Sequence, residues 1–125
     1  MIEKKQLVER RKHKRFKAPR DAFVAIRPHY AEVGQITDVS MGGLGFHCLA
    51  TEEPSDGSSE LDIFLSGRAF WLHRVPFKTI WSVEIPGKTP LTAVPMRRSG
   101  VQFGELTPNQ RSQLEYFIEN HCTEA

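Results

Sequence analysis

Asp38-Val39-Ser40-Met41-Gly42-Gly43-Leu44-Gly45-Phe46-His47-Cys48-Leu49 joins the end of one extended segment to the start of another. Leu44, Phe46 and Cys48 alternate with Gly45 and His47, the period-two pattern of a half-buried strand, which makes Cys48 a small core residue. Val33–Ser40 reads as the strand before it, and Gly42-Gly43 punctuates the passage between the two. The same grammar extends in both directions. Upstream, Ala22–Tyr30 is a strand with Val24 and Ile26 on one face. Downstream, Leu61, Ile63 and Leu65 alternate with Asp62, Phe64 and Ser66, after a polar loop at Thr51–Ser59 that contains Pro54 and Gly57.

Ser66-Gly67 then turns the chain into a long extended stretch, Ala69–Ile85, interrupted by Pro76. Phe77, Trp81, Val83 and Ile85 share one parity there, so Trp81 reads as a core residue or as a platform on which a base could stack. Pro86-Gly87-Lys88 is a turn before a last strand ending at Phe103. Val101 and Phe103 take one face of it, and Arg98, Gly100 and Gln102 the other. The C-terminus changes period. Thr107-Pro108-Asn109-Gln110 offers an N-cap threonine, proline at the first helical position and glutamine three after the cap. Leu114, Phe117, Ile118 and His121 follow as one stripe of a short amphipathic helix. Strands closed by one such helix predict an antiparallel barrel or sandwich with the helix at one side or end.

The chain of 125 residues is most simply one domain, large enough to bury a core without staples. Its 39% hydrophobic and 26% charged residues are ordinary for a globular protein. No apolar run approaches the roughly 20 residues that span a bilayer, and Met1–Arg20 lacks the apolar stretch of a signal peptide. The expected location is therefore the cytoplasm, without membrane insertion, where Cys48 and Cys122 stay as thiols.

The net charge of +2 hides a polarised chain. Residues 1–20 carry nine Lys/Arg against two Asp/Glu, a net +7, whereas residues 21–125 carry eight against 13, a net −5. Residues 1–20 thus form a basic arm and residues 21–125 a mildly acidic body, which implies an anionic partner. Within the arm, Arg10 and Arg11-Lys12-His13-Lys14-Arg15 place arginines in an R-x-x-x-R spacing. Such a run is either a solvated tail or a set of planar forks for phosphate and guanine edges. Asp38-x-Ser40-x-x-Gly43 is likewise open to two readings. It is a turn stabilised by its own Asp and Ser side chains, or half of a guanine site. In the second reading Asp38 accepts from the N1 and N2 hydrogens of guanine, Ser40 donates or accepts, and Gly42-Gly43 let a ring approach closely.

Together the two motifs, in this order and with a plausible strand between them, resemble the signature of PilZ domains, bacterial receptors for cyclic di-GMP. The Ile80-Trp81 strand and the Arg98-x-Gly100-Val101-x-Phe103 strand followed by a helix are also similar to that family. The resemblance runs from about Glu9 to about His121, and no motif position departs from the pattern. It implies a six-stranded antiparallel β-barrel of the split-barrel type with a C-terminal α-helix and a flexible basic N-terminal arm. It further implies cyclic di-GMP as ligand, held by Arg11, Arg15, Asp38, Ser40 and Gly43. Arg10, directly before the first motif, implies two stacked ligand molecules; Arg98 is a further candidate contact, or else an ordinary exposed strand arginine.

Catalysis is not expected. His13, His29, His47, His73 and His121 have no metal-ligand spacing, and there is no nucleophile elbow or P-loop. A small nucleic-acid-binding barrel would explain the arm but not an acidic Asp38 facing the ligand. A degenerate module that only binds proteins would not need complete motifs. The expected action is that of a receptor whose arm closes over cyclic di-GMP and alters the surface offered to a downstream protein partner.

Overall fold

The structure, a computed structural model, describes residues 13–27, 33–49, 60–85 and 95–125. Their elements are β1 (Phe16–Lys17), β2 (Ala22–Ile26), β3 (Val33–Val39), β4 (Gly43–Leu49), β5 (Glu60–Leu65), β6 (Phe70–Ile85), β7 (Met96–Phe103), α1 (Pro108–His121) and β8 (Thr123–Glu124). Every strand pairing is antiparallel. Six strands run in the order β2-β5-β6-β7-β4-β3, and β3 pairs back with β2, so the sheet closes into the expected barrel.

Inward-facing positions on all six strands fill the barrel: Val24, Ile36, Phe46, Ile63, Leu72 and Val101 are buried, together with Cys48. Leu114, Phe117 and Ile118 of α1 join the same core, as their helical spacing predicts. The capping box is formed. Thr107 Oγ1 accepts from the Gln110 backbone N–H at 3.1 Å, and Gln110 Oε1 accepts from that of Thr107 at 3.0 Å. Gln110 Nε2 also donates to the carbonyls of His73 and Arg74, at 3.0 and 2.9 Å, tying the first turn of the helix to β6.

The stretch expected to break at Pro76 is one strand. Residues up to Pro76 pair with β5, and those from Phe77 pair with β7. Proline stands at the hand-over, where its missing N–H is least needed and its carbonyl accepts from Gly104 N at 2.7 Å. β2 ends at Ile26 and Arg27 turns, while residues 28–30 of the expected Ala22–Tyr30 strand lie outside the described residues. The expected loop at Thr51–Ser59 and the turn at Pro86–Lys88 lie outside the described residues.

Three register shifts among the described residues interrupt simple alternation: one lies between Ile36 and Asp38 on β3, where Thr37 has no opposite residue on β4, and two involve β6. Between Thr79 and Trp81 the β6–β7 register shifts, leaving Ile80 unpaired. Residues after it swap faces. Phe77 is opposite buried Phe103, whereas Trp81, Val83 and Ile85 all turn to the outer face, so the core reading of Trp81 is wrong. The other shift involving β6 lies between Leu61 and Ile63 in the β5–β6 pairing, beside Arg74, whose φ is 56°. There Asp62, which alternation turns outward, is fully enclosed. It accepts from Arg27, Trp71 Nε1 and the Arg74 backbone N–H. Phe23, Phe64, Trp71 and His73 stack in succession beside it.

The described part of the arm is not a free tail. β1 pairs with β3 on one side and with β8 on the other, and Lys14 bonds Glu124 across that second pairing. The backbone bond from Ala18 N to the Thr37 carbonyl, at 3.2 Å, continues the attachment.

Candidate functional site

The site is assembled where β1 meets the end of β3. β2 covers only Val33–Gln35 of the β3 edge, leaving Asp38 and Val39 to pair with Lys17 and Phe16. That pairing delivers Arg15, the residue before β1, to Asp38, and its Nη1 donates to Asp38 Oδ2 at 2.7 Å. The other carboxylate oxygen accepts from Thr37 Oγ1 at 3.1 Å. The arginine of the arm and the acid of the D-x-S-x-x-G motif, 23 residues apart, are thus in direct contact. The pair is half-exposed, so its main consequence is orientation rather than stability.

The rest of the motif builds a tight turn. Ser40 N donates to the Gly43 carbonyl at 2.8 Å, Gly42 N donates to Ser40 Oγ at 3.1 Å, and Phe103 N donates to the Gly42 carbonyl at 2.9 Å. Ser40 is only 9% exposed, and its hydroxyl is already spent on this turn, at 3.3 Å from the Gly43 carbonyl. The glycines are required for space rather than for conformation, since no described glycine has a positive φ. A Cβ on Gly43 would collide with the Val101 carbonyl of the neighbouring strand. One on Gly42 would come within 2.5 Å of His13 Cδ2. The freedom expected of Gly42-Gly43 serves close strand packing and the seat of a histidine.

A cleft of about 570 Å³ runs outward from this turn over the barrel surface. Its lining includes His13, Arg15, Asp38, Ile80, Trp81 and Arg111 of α1, and the strand register sets Gly45 and Gly100 between Asp38 and Trp81. The arrangement offers a cation, a fixed carboxylate and an indole that is 43% exposed, the set that holds a flat, polar, anionic molecule. Among the described residues there is no cluster able to hold a metal ion.

Of the expected residues, Arg15, Asp38, Ser40 and Gly43 come together at this cleft. Arg98 is exposed on the same outer face, opposite His47 and Val83, one step along the strands from Gly100 and outside the cleft lining. Arg10 and Arg11 lie outside the described residues. His13, Ile80, Arg111 and Gly45 were not anticipated. The bulge that exposes Ile80 and Trp81 has no local signature, and Gly45 looks like any small residue in an alternating strand.

The family described as the PilZ domain matches residues 9–120. No curated protein sequence matches the chain. Among solved structures it is similar to the PilZ domain, with c-di-GMP, of YcgR from Escherichia coli. The TM-score is 0.63 and the identity 18%, over 90% of this chain and 91% of that one. It is also similar to YcgR of Escherichia coli in complex with c-di-GMP, with TM-score 0.62 and 22% identity over 88% of this chain. A third is MrkH, a c-di-GMP-dependent transcription regulatory factor, with TM-score 0.59 and 14% identity over 88% of this chain. The chain spans 45% of that YcgR chain and 50% of MrkH.

Proposed function

The chain belongs to the PilZ domain family, and we propose that it acts as a receptor for cyclic di-GMP. The observation that carries the reading is the contact between Arg15 and Asp38, which unites the two family motifs in one cleft. Arg15, with Arg10 and Arg11 before it, binds phosphate oxygens and a guanine edge through charge-assisted bonds. The Asp38 carboxylate accepts from guanine N1–H and N2–H. Trp81 supplies a face for stacking. Ser40 and Gly43 hold the turn on which Asp38 depends, so their contribution is mainly to its placement.

Binding redirects Arg15 from Asp38 to the ligand, and the arm ahead of His13 closes over it. The altered arm is the surface that a downstream protein partner reads. The similarity to YcgR structures that hold c-di-GMP supports the ligand class, and the arrangement needs no catalytic step. Arg10 favours two ligand molecules per protomer, and the site of action is the cytoplasm.

Calorimetric titration with cyclic di-GMP at near-physiological salt, with GMP and Arg15→Ala as controls, tests the reading. Micromolar or tighter binding, lost in the variant, is expected, and its stoichiometry distinguishes one ligand from two. No heat, together with no retention in equilibrium dialysis, would sink it. Hydrogen exchange of residues 5–20 that is identical with and without saturating ligand would sink the closing arm alone.

A further inference from the structure

Four residues, one from each of four adjacent strands, form a row across the outer face of the barrel. Asp38 on β3 is opposite Gly45 on β4, Gly45 is opposite Gly100 on β7, and Gly100 is opposite Trp81 on β6. Directly opposed residues present their side chains to the same face. The two middle members have none, and the two outer members lean into the space this leaves. A Cβ on Gly45 would stand 2.5 Å from Asp38 Oδ1 and 3.2 Å from Thr37 Oγ1. One on Gly100 would stand 2.5 Å from Trp81 Cε2 and 3.0 Å from Cζ2. Carbon atoms do not approach so closely, so either substitution must push the carboxylate or the indole out of the row.

The backbone does not ask for glycine at either position, because neither has a positive φ. Glycine inside a strand weakens it, through entropy and through the lost cross-strand contact. Here two glycines are paired with each other in strands that are bonded on both edges, where side chains would help the sheet most. Their place is explained by what lies over them. Asp38 and Trp81 belong to strands about 14 Å apart, three strand spacings, and each leans inward over its glycine neighbour. The carboxylate is held by Thr37 on one oxygen and by Arg15 on the other.

We propose that Gly45 and Gly100 are the positioning residues that set the base specificity of this cleft. They let a carboxylate edge and an indole face converge over a floor of bare backbone, so that one flat purine meets both at once. The convergence selects guanine, which turns two N–H donors toward Asp38; adenine turns the N1 lone pair toward it and is repelled. The inference rests on the cyclic di-GMP reading and goes beyond it by naming what shapes the slot.

Two double-mutant cycles test it by calorimetry with cyclic di-GMP and, as competitor, cyclic di-AMP. The first pairs Gly100→Ala with Trp81→Ala, and the second pairs Gly45→Ala with Asp38→Ala. Gly100→Ala should weaken cyclic di-GMP binding by roughly tenfold, the low end of what stacking one base on an aromatic ring is worth. In the Trp81→Ala background it should have less than a twofold effect, because no indole remains to be displaced. Gly45→Ala should behave in the same way toward Asp38→Ala, and should narrow the preference over cyclic di-AMP. Penalties that persist in full in the double variants would mark the glycines as ordinary strand residues and overturn the inference. So would Gly100→Ala binding like the wild type. If Gly100→Ala does not fold, recovery of its cooperative melt by Trp81→Ala supports the clash, and no recovery overturns it. A wild-type protein that binds no cyclic di-GMP sinks the receptor reading itself; a binding wild type with additive cycles sinks only the role of the glycines.

Discussion

Replacing Asp62 with asparagine perturbs the most costly group in the barrel. Asp62 is 0% exposed and accepts from Arg27 Nε at 2.9 Å and Nη2 at 3.3 Å, from Trp71 Nε1 at 2.9 Å and from the Arg74 backbone N–H at 2.9 Å. His73 Nδ1 lies 3.2 Å away. Removing one member of a buried ion pair costs about 3–5 kcal/mol, because the other charge stays behind. Asparagine keeps the volume and one acceptor but turns an amide NH2 toward these donors, so a loss of about 3 kcal/mol is expected at pH 7. For a chain of this size that lowers the melting temperature by about 12 °C, at roughly 4 °C per kcal/mol. Burial alone would raise the Asp62 carboxyl pKa. Hydrogen bonds from Arg27, the Arg74 backbone, Trp71 and His73 outweigh it and hold the group well below its ordinary value of 3.8. A lowered native pKa means that the unfolded chain takes up the proton first. The stabilisation is therefore complete above about pH 5 and drains as the pH falls through 3.8 and below. Thermal and urea unfolding of wild type and Asp62→Asn at pH 7 and pH 3 should show a gap that narrows in acid. A variant within about 1 kcal/mol of wild type at pH 7, or a gap unchanged at pH 3, would refute the reasoning.

Arg15→Ala should weaken cyclic di-GMP binding by about 30-fold or more, the loss of at least one charge-assisted contact worth ~2 kcal/mol. Its melting temperature should move by only a few degrees, because a half-exposed pair contributes less than about 1 kcal/mol. Gln110→Ala should cost more than an ordinary cap residue, about 2 kcal/mol, since it loses both the capping bond and two bonds to β6 carbonyls; urea unfolding checks this, and a value under 0.5 would count against the bridging role. Burial pushes the Cys122 thiol up to about 11, so at pH 8 it should react with iodoacetamide far more slowly than a free cysteine in the same buffer. Its rate should rise about tenfold per pH unit and level off only near pH 11, and a fast reaction at pH 8 would contradict the packing of Cys122 against the core.

Regular alternation was legible wherever the sheet is regular. Leu44, Phe46 and Cys48 point inward as read, and so do Val101 and Phe103, because each strand there pairs one residue against one. The helix was legible because its start signals are local: Thr107, Pro108 and Gln110 carry the cap themselves. What failed is what a one-residue slip controls. Ile80 adds a residue on β6 without any glycine to announce it, and every later side chain on that strand changes face. Trp81 therefore leaves the core and enters the cleft. Asp62 failed for a related reason. Its enclosure depends on Arg27, 35 residues earlier, and on Trp71 and His73 on the next strand, none of which a local window contains. The meeting of Arg15 and Asp38 was legible only as two motifs that belong together. Their distance is set by β2 ending early along β3, a tertiary fact.

That early ending also decides how the arm reaches the cleft. If β2 ran the length of β3, the barrel would close with no edge left for the arm. Because it stops, Asp38 and Val39 are free to hold β1, and β1 in turn holds β8. Each attachment is only two residue pairs long, so neither is strong, yet the Arg15 guanidinium is already at the Asp38 carboxylate before any ligand arrives. A wholly unattached arm would have to lose its conformational freedom at the moment of binding, and affinity would fall accordingly. Here the residues next to the cleft are ordered in advance by backbone bonds that do not involve the ligand-facing side chains. On the receptor reading proposed above, an incoming guanine competes with Arg15 for one carboxylate while the arginine turns to phosphate, an exchange of partners rather than a search for them. On that reading the cost of binding moves from ordering Arg15 to swapping its contact, which gives an exposed ion pair of little worth to stability a use in this cleft.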